Sequence, residues 1–154
     1  MSGFSVTLDN QLLDAVFKGT AFTTPDKYLA LFTSEDGLTT DESGTWTPNE
    51  VKTTIDEGSS AYARVKMENT IFNTATNSAV VNNANVEFPV AEKDWGTVSH
   101  VAIMDAATAG HVLAWGLIRN PVTLAAQPRE VLTGDQFIVR ANTMNIRLND
   151  HPTI

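Results

Sequence analysis

The sequence predicts an all-β chain, an antiparallel β-sandwich or jelly roll with one short N-terminal helix. Three observations carry that reading. From Ser60 onward, short runs of strand composition recur at regular intervals, each bounded by Asn, Gly, Asp or Pro. No helical pattern separates them, so parallel βαβ units are disfavoured and the strands must pair mainly antiparallel. Twenty Thr and twelve Asn take the place of charged residues, which are only 18% of the chain, and such a neutral polar surface suits strands and turns better than long helices. With 154 residues, 42% of them hydrophobic, the chain fits one core and reads as a single domain over residues 1–154.

The N-terminal segment, residues 1–22, holds the helix. Between Thr7 and Lys18, Leu8, Leu12, Leu13, Val16 and Phe17 recur about one helical turn apart. Asp9 or Asn10 is placed to cap the first turn, Lys18 complements the negative end of the dipole, and Gly19 offers a left-handed stop. The apolar stripe is expected to pack on the chain's own sheet, with a neighbouring subunit as the alternative cover. After the turn signal Thr23-Thr24-Pro25-Asp26, the run Tyr28 to Thr33 reads as the first core strand.

Residues 34–58 change character. Seven acids face the single base Lys52 there, giving −6 of the chain's net −8, and the stretch reads as a long acidic loop or a pair of short edge segments. The acids lack the alternating spacing and terminal Glu of a Ca²⁺ loop, so no metal is assigned.

Strands are then expected at Tyr62–Phe72, Ala79–Val81, Val86–Val90, Val98–Asp105, His111–Ile118, Val122–Leu124, Glu130–Leu132, Gln136–Ala141 and Met144–Leu148. The clearest unit is the hairpin from Trp95 to Ile118, turning through Asp105 to Gly110. Its strands are almost continuously apolar, as expected of central strands covered on both faces.

Composition also bounds the chemistry. A charge of −8 would repel a phosphate backbone, so nucleic acid is not expected as a direct partner. There is no cysteine, hence no disulfide, thiolate metal site or thiol nucleophile. The start, Met1-Ser2-Gly3-Phe4-Ser5, has no basic or apolar leader, and no apolar stretch is long enough to span a bilayer. A soluble chain without membrane contact is expected.

No catalytic constellation is assigned. His100 lies within an apolar strand and reads as a structural histidine, whereas His111 and His151 read as solvated. Ser99, His100 and Asp105 do not make a triad on this reading, because adjacent strand residues point to opposite faces. Phosphate loops, zinc-protease helices and nucleophile elbows are missing. Asp94, Asp105 and Asp135 read as turn residues rather than a glycosidase pair. Trp46, Trp95 and Trp115 have no shared spacing and read as core or interface anchors rather than a sugar platform. No cofactor is implied.

Taken in order, Leu12 to Phe17, Tyr28 to Thr33, Tyr62-Ala63-Arg64, Glu87 to Ala91, Trp95 to Val98, Trp115-Gly116 and Gly134 to Phe137 resemble a set of small virion proteins of tailed bacteriophages. Members are often labelled tail fibre-like, and the all-β pattern is similar to jelly-roll cement proteins that decorate phage heads. The resemblance implies a jelly roll and a non-enzymatic structural protein on the capsid surface. Its expected role is head decoration, by adding contact area across the joints of the shell. Its partners would be the major capsid protein and a second or third copy of itself. The interface is expected to use Leu8, Leu12, Leu13, Val16 and Phe17 of the N-terminal segment, with Trp95 and Trp115 of the hairpin region. A tail or neck fibre or adaptor component is the alternative, disfavoured here by the lack of heptads and repeats. A carbohydrate-binding module is a further alternative.

Overall fold

The computed structural model of the chain describes residues 3–38 and 49–148. The part of the acidic loop that holds Asp41, Glu42 and Trp46, and the tail with His151, lie outside the described residues.

The chain opens with β1 (Gly3–Phe4) and α1, whose α-helical residues Val6–Leu13 run on into a π-helical turn at Asp14–Lys18. β2 (Tyr28–Phe32), β3 (Thr54–Ile55), β4 (Gly58–Ser59) and β5 (Val65–Lys66) follow. The remaining strands are β6 (Ala79–Val81), β7 (Val86–Val90), β8 (Gly96–Val98), β9 (His100–Met104), β10 (Val112–Leu117), β11 (Arg129–Val131), β12 (Gln136–Val139) and β13 (Asn145–Arg147). Every pairing among them is antiparallel, as the sequence predicts.

Five strands form the central sheet in the order β1-β10-β9-β2-β5. The predicted hairpin supplies its middle, and both of its faces are covered. Along β2, Leu29 and Leu31 join the main core while Ala30 and Phe32 join a second cluster, and all four are fully buried. In β10 the register shifts between Val112 and Ala114, and this bulge turns both Leu113 and Ala114 towards the main core. The second cluster is closed by Leu38 at the start of the acidic stretch and by Trp115.

Over the main core lies an interrupted ribbon. Residues 79–98 run against residues 129–147 in three successive ladders, β6 with β13, β7 with β12 and β8 with β11. Val86, Phe88, Trp95, Val98 and Val131 from the ribbon meet Leu29, Leu31, Ile103 and Leu113 from the sheet. Rings lock this layer: Tyr62 meets Trp95 edge-on with centroids 5.4 Å apart, and Phe88 meets Phe137 at 5.8 Å. Trp95 also donates Nε1–H to the Ser60 carbonyl at 2.9 Å. With β9–β10 these ladders nest eight strands, first with last, but among the described residues the outer three stay separate two-stranded sheets, so the two four-stranded sheets of a jelly roll are not shown.

Several elements differ from the sequence reading. Residues 62–72 form a strand only at Val65–Lys66, with an isolated bridge from Phe72 to Asn82, because a 3₁₀ turn at Asn69–Ile71 interrupts the run. Val122–Leu124 is a turn, in which the Asn120 side-chain oxygen accepts from the amides of Val122 and Thr123 at 2.9 and 3.0 Å. Leu124 there has a positive φ of 58°. The expected strand Val98–Asp105 breaks at Ser99. β3 and β4 form a small hairpin at the end of the acidic stretch, from Thr54 to Ser59, in line with the edge-segment form of that reading.

Candidate assembly surface

The helix is the element whose side chains are least accounted for by the fold. Its cap is Ser5, not Asp9 or Asn10: Ser5 Oγ accepts from the Leu8 amide at 3.2 Å, and the Ser5 amide donates to Leu113 of β10 at 3.0 Å. This anchors the helix start to the central sheet. Gly19 ends the helix in the left-handed conformation with φ 69°, as expected.

The predicted stripe does not act as one surface. At about 100° per residue, Leu8, Leu12 and Ala15 share one side, and of these Leu8 packs on the main core. Leu13, Val16 and Phe17 project from another side, with exposures of 55%, 73% and 80%. Val6 and Phe22 are also exposed. Together these five side chains present on the order of 500 Å² of apolar surface. At about 25 cal/mol per Å², covering that area yields about 12 kcal/mol before association costs of about 4–15 kcal/mol. Such a face adds nothing to the stability of a lone chain.

Trp95 and Trp115 are placed differently. They are 4% and 8% exposed and sit in the two core clusters, so their rings offer no surface to a neighbour. A second apolar feature is a groove of about 490 Å³ where Phe4, Phe72, Val80, Ile146 and Leu148 converge, with Lys27 on its lining.

The polar residues weighed for chemistry are occupied by the backbone. Asp105 Oδ1 accepts from the His111 amide at 2.6 Å, and Asp135 Oδ2 from the Leu132 amide at 3.0 Å. Asp94 Oδ1 accepts from the Thr133 amide at 2.7 Å and its hydroxyl at 2.8 Å, and these two bonds, the amide foremost, hold its carboxyl below the usual range. Each is a turn brace, as the sequence implies. Gly110 completes the hairpin turn with φ 74°, where a Cβ would overlap Asp105 Oδ1.

One expectation is overturned by geometry. Ser99 Oγ and His100 Nδ1 share a 2.8 Å hydrogen bond, which regular strand alternation would forbid. The break at Ser99 between β8 and β9 permits it. His100 is 7% exposed, with Nε2 3.8 Å from Glu35 Oε2 and its ring centroid 6.2 Å from that of Trp115. Burial pushes its pKa down, against the raising effect of Glu35. Among the described residues no three His, Asp or Glu gather in a metal-binding arrangement, and no helix is long and apolar enough to cross a membrane.

Sequence reasoning missed a buried polar clamp. Arg64 Nε and Nη2 donate to the two oxygens of Glu50, each at 2.8 Å, while Nη1 donates to the carbonyls of Ala106 and Ala109 at 2.8 and 2.7 Å. The Tyr62 hydroxyl donates to Glu50 Oε1 at 2.8 Å and accepts from the Leu31 amide at 3.0 Å. The clamp ties the end of the acidic stretch to the hairpin turn. A Tyr-Ala-Arg triplet beside a run of carboxylates was the only signal for it.

Residues 3–147 match the model of a protein family described as "Podophage GP4 fiber I protein gp80". No curated protein matches the chain.

Proposed function

Because the chain belongs to the podophage GP4 fiber I protein gp80 family, and is thus a structural protein of a phage virion, we propose that it serves as a component of a tail or neck fibre. The family description is the observation that supports this reading. It favours the fibre, held as the alternative on sequence grounds, over decoration of the head. Membership in a fibre family also implies a structural rather than an enzymatic role.

The lack of heptads and repeats loses its force here. Heptads and repeats are needed by a shaft, whereas an anchoring or adaptor module needs a rigid body and a sticky face. The clamp and the twice-covered sheet supply the rigid body, and Leu13, Val16 and Phe17 supply the face. Its partners on this reading are other virion proteins and further copies of itself, met through buried apolar area and multivalency. Nucleic acid remains disfavoured by the net charge of −8.

Immunogold electron microscopy of virions with antibody to the chain tests the proposal. Label confined to the tail or neck is expected, and label spread over the head would overturn it.

A further inference from the structure

We propose that the groove where Phe4 of β1 meets Val80 of β6 and Ile146 of β13 binds a single-chain anionic amphiphile, an acyl chain ending in a free carboxylate. The acyl chain lies among the apolar side chains and the carboxylate on Lys27 Nζ. The proposal rests on the chemistry of the groove and not on where the chain sits in the virion.

The lining supplies the apolar half of the site. A volume of about 490 Å³ falls within the range of about 300–1,000 Å³ usual for small-molecule sites, which are mostly apolar with a few placed polar groups. Phe4, Phe72 and Ile146 also pack against the main core, so the fold holds these walls in place. Leu148 lines the same groove and is 56% exposed, which leaves apolar surface for a ligand to cover.

Charge supplies the polar half and selects the head group. The chain carries 18 acids against 10 bases, yet no Asp or Glu lines the groove and Lys27 is its one charged residue. The acids next to Lys27 and Asn69 in sequence, Asp26 and Glu68, are drawn to Lys66 instead, at 3.5 and 3.7 Å. Lys27 Nζ donates to the Pro25 carbonyl at 3.2 Å and to Asn69 Oδ1 at 2.6 Å. Both acceptors are neutral, and an ammonium has three donors. One donor and the positive charge are therefore left for a ligand. A carboxylate answers both through a charge-assisted hydrogen bond, a neutral head answers only the donor, and a cationic head is repelled. The other polar side chains of the lining, Asn69, Asn73, Thr74 and Ser78, are neutral and oppose no anion.

Isothermal titration of the full chain with dodecanoate, kept below its micelle-forming concentration, tests the proposal. A Kd on the order of 10–100 μM is expected. Dodecanol and dodecylammonium should each bind about tenfold more weakly or worse, and Lys27→Met, which keeps the apolar stem, should weaken dodecanoate by about tenfold. Leu148→Glu changes an exposed side chain and sets a carboxylate in the lining, so it should weaken dodecanoate by a similar factor or more. Circular dichroism on both variants guards against simple unfolding. Backbone amide NMR should shift Phe4, Phe72 and Ile146 on titration. No binding, equal binding of the three head groups, or variants that are folded and bind unchanged would overturn the proposal. Shifts confined to Val16 and Phe17 would likewise overturn it, by moving the amphiphile to the exposed helix side. Self-association without dodecanoate binding would give the groove to a second copy and overturn it too. None of those results bears on tail against head placement, which the immunogold labelling decides separately.

Discussion

Arg64 and Glu50 form a buried bidentate ion pair, with both hydrogen bonds at 2.8 Å and side-chain exposures of only 4% and 12%. Burial opposes the guanidinium charge, but the hydrogen bonds and charge of Glu50 more than offset it, so the pKa of Arg64 is raised. Truncating one partner leaves the other charged and unpaired, which costs about 3–5 kcal/mol in buried pairs. Arg64→Ala should therefore lose about that much in urea unfolding, and it also frees the carbonyls of Ala106 and Ala109. Tyr62→Phe should lose about 1–3 kcal/mol, by depriving the buried Leu31 amide of its acceptor.

Asn82 predicts a second weak point. It is fully buried, and its side-chain amide donates to the carbonyls of Ala84 and Arg140 at 2.8 Å each, while its oxygen accepts from the Met144 amide at 2.8 Å. These bonds hold the β6–β13 end of the ribbon to the chain around residue 140. Asn82→Ala strands three backbone groups and should cost about 3–6 kcal/mol. Asn82→Asp should fare no better, since it sets an oxygen against two carbonyls. Thermal unfolding of both variants checks this.

His100 predicts a pH dependence. Its pKa is lowered in the folded chain from an ordinary 6.5, so the unfolded chain binds the proton more readily. The contribution to stability is fully present above 6.5 and is lost as the pH falls from there towards the lower folded value. Urea midpoints should drop as the pH falls below about 6.5, starting above the range in which ordinary carboxylates titrate. His100→Gln should flatten the slope. An unchanged slope in that variant would assign the titration elsewhere.

The two sides of the helix should respond oppositely to substitution. Phe17→Ser and Val16→Ser alter side chains exposed at 80% and 73% and should leave the stability of the monomer within about 0.5 kcal/mol. Leu8→Ala, which removes a contact with the main core, should cost roughly 1–2 kcal/mol, less than a fully buried leucine. Urea denaturation at low protein concentration separates the two cases.

Much of the fold is legible from residue pattern alone. Ala79–Val81 and Val86–Val90 are found with the expected ends, because flanking Asn residues mark them and Val86–Val90 alternates. The central hairpin is equally plain in its apolar runs and its Asp105 to Gly110 turn. Tyr62–Phe72 fails as one strand because a 3₁₀ turn at Asn69–Ile71 divides it and β5 alone meets β2, while the bonds of Tyr62 and Arg64 to Glu50 cross a dozen residues and no local rule sees them. Val122–Leu124 fails for the opposite reason: the Asn120-Pro121 turn signal stands next to it, and β-branched composition outweighs it in the pattern. The helix stripe is visible as a pattern, but its division into a packed side and a bare side depends on where Ser5 and Gly19 fix the ends. The buried positions of Trp95 and Trp115 follow from the covered sheet, since a tryptophan between two layers becomes core whatever its sequence neighbours.

The most direct measurement is the copy number of this chain in purified virions, scaled to the major capsid protein by quantitative mass spectrometry. A tail or neck fibre component should be present in small number, far below the capsid subunit. A copy number comparable to the capsid subunit would contradict the account and return the chain to the surface of the head.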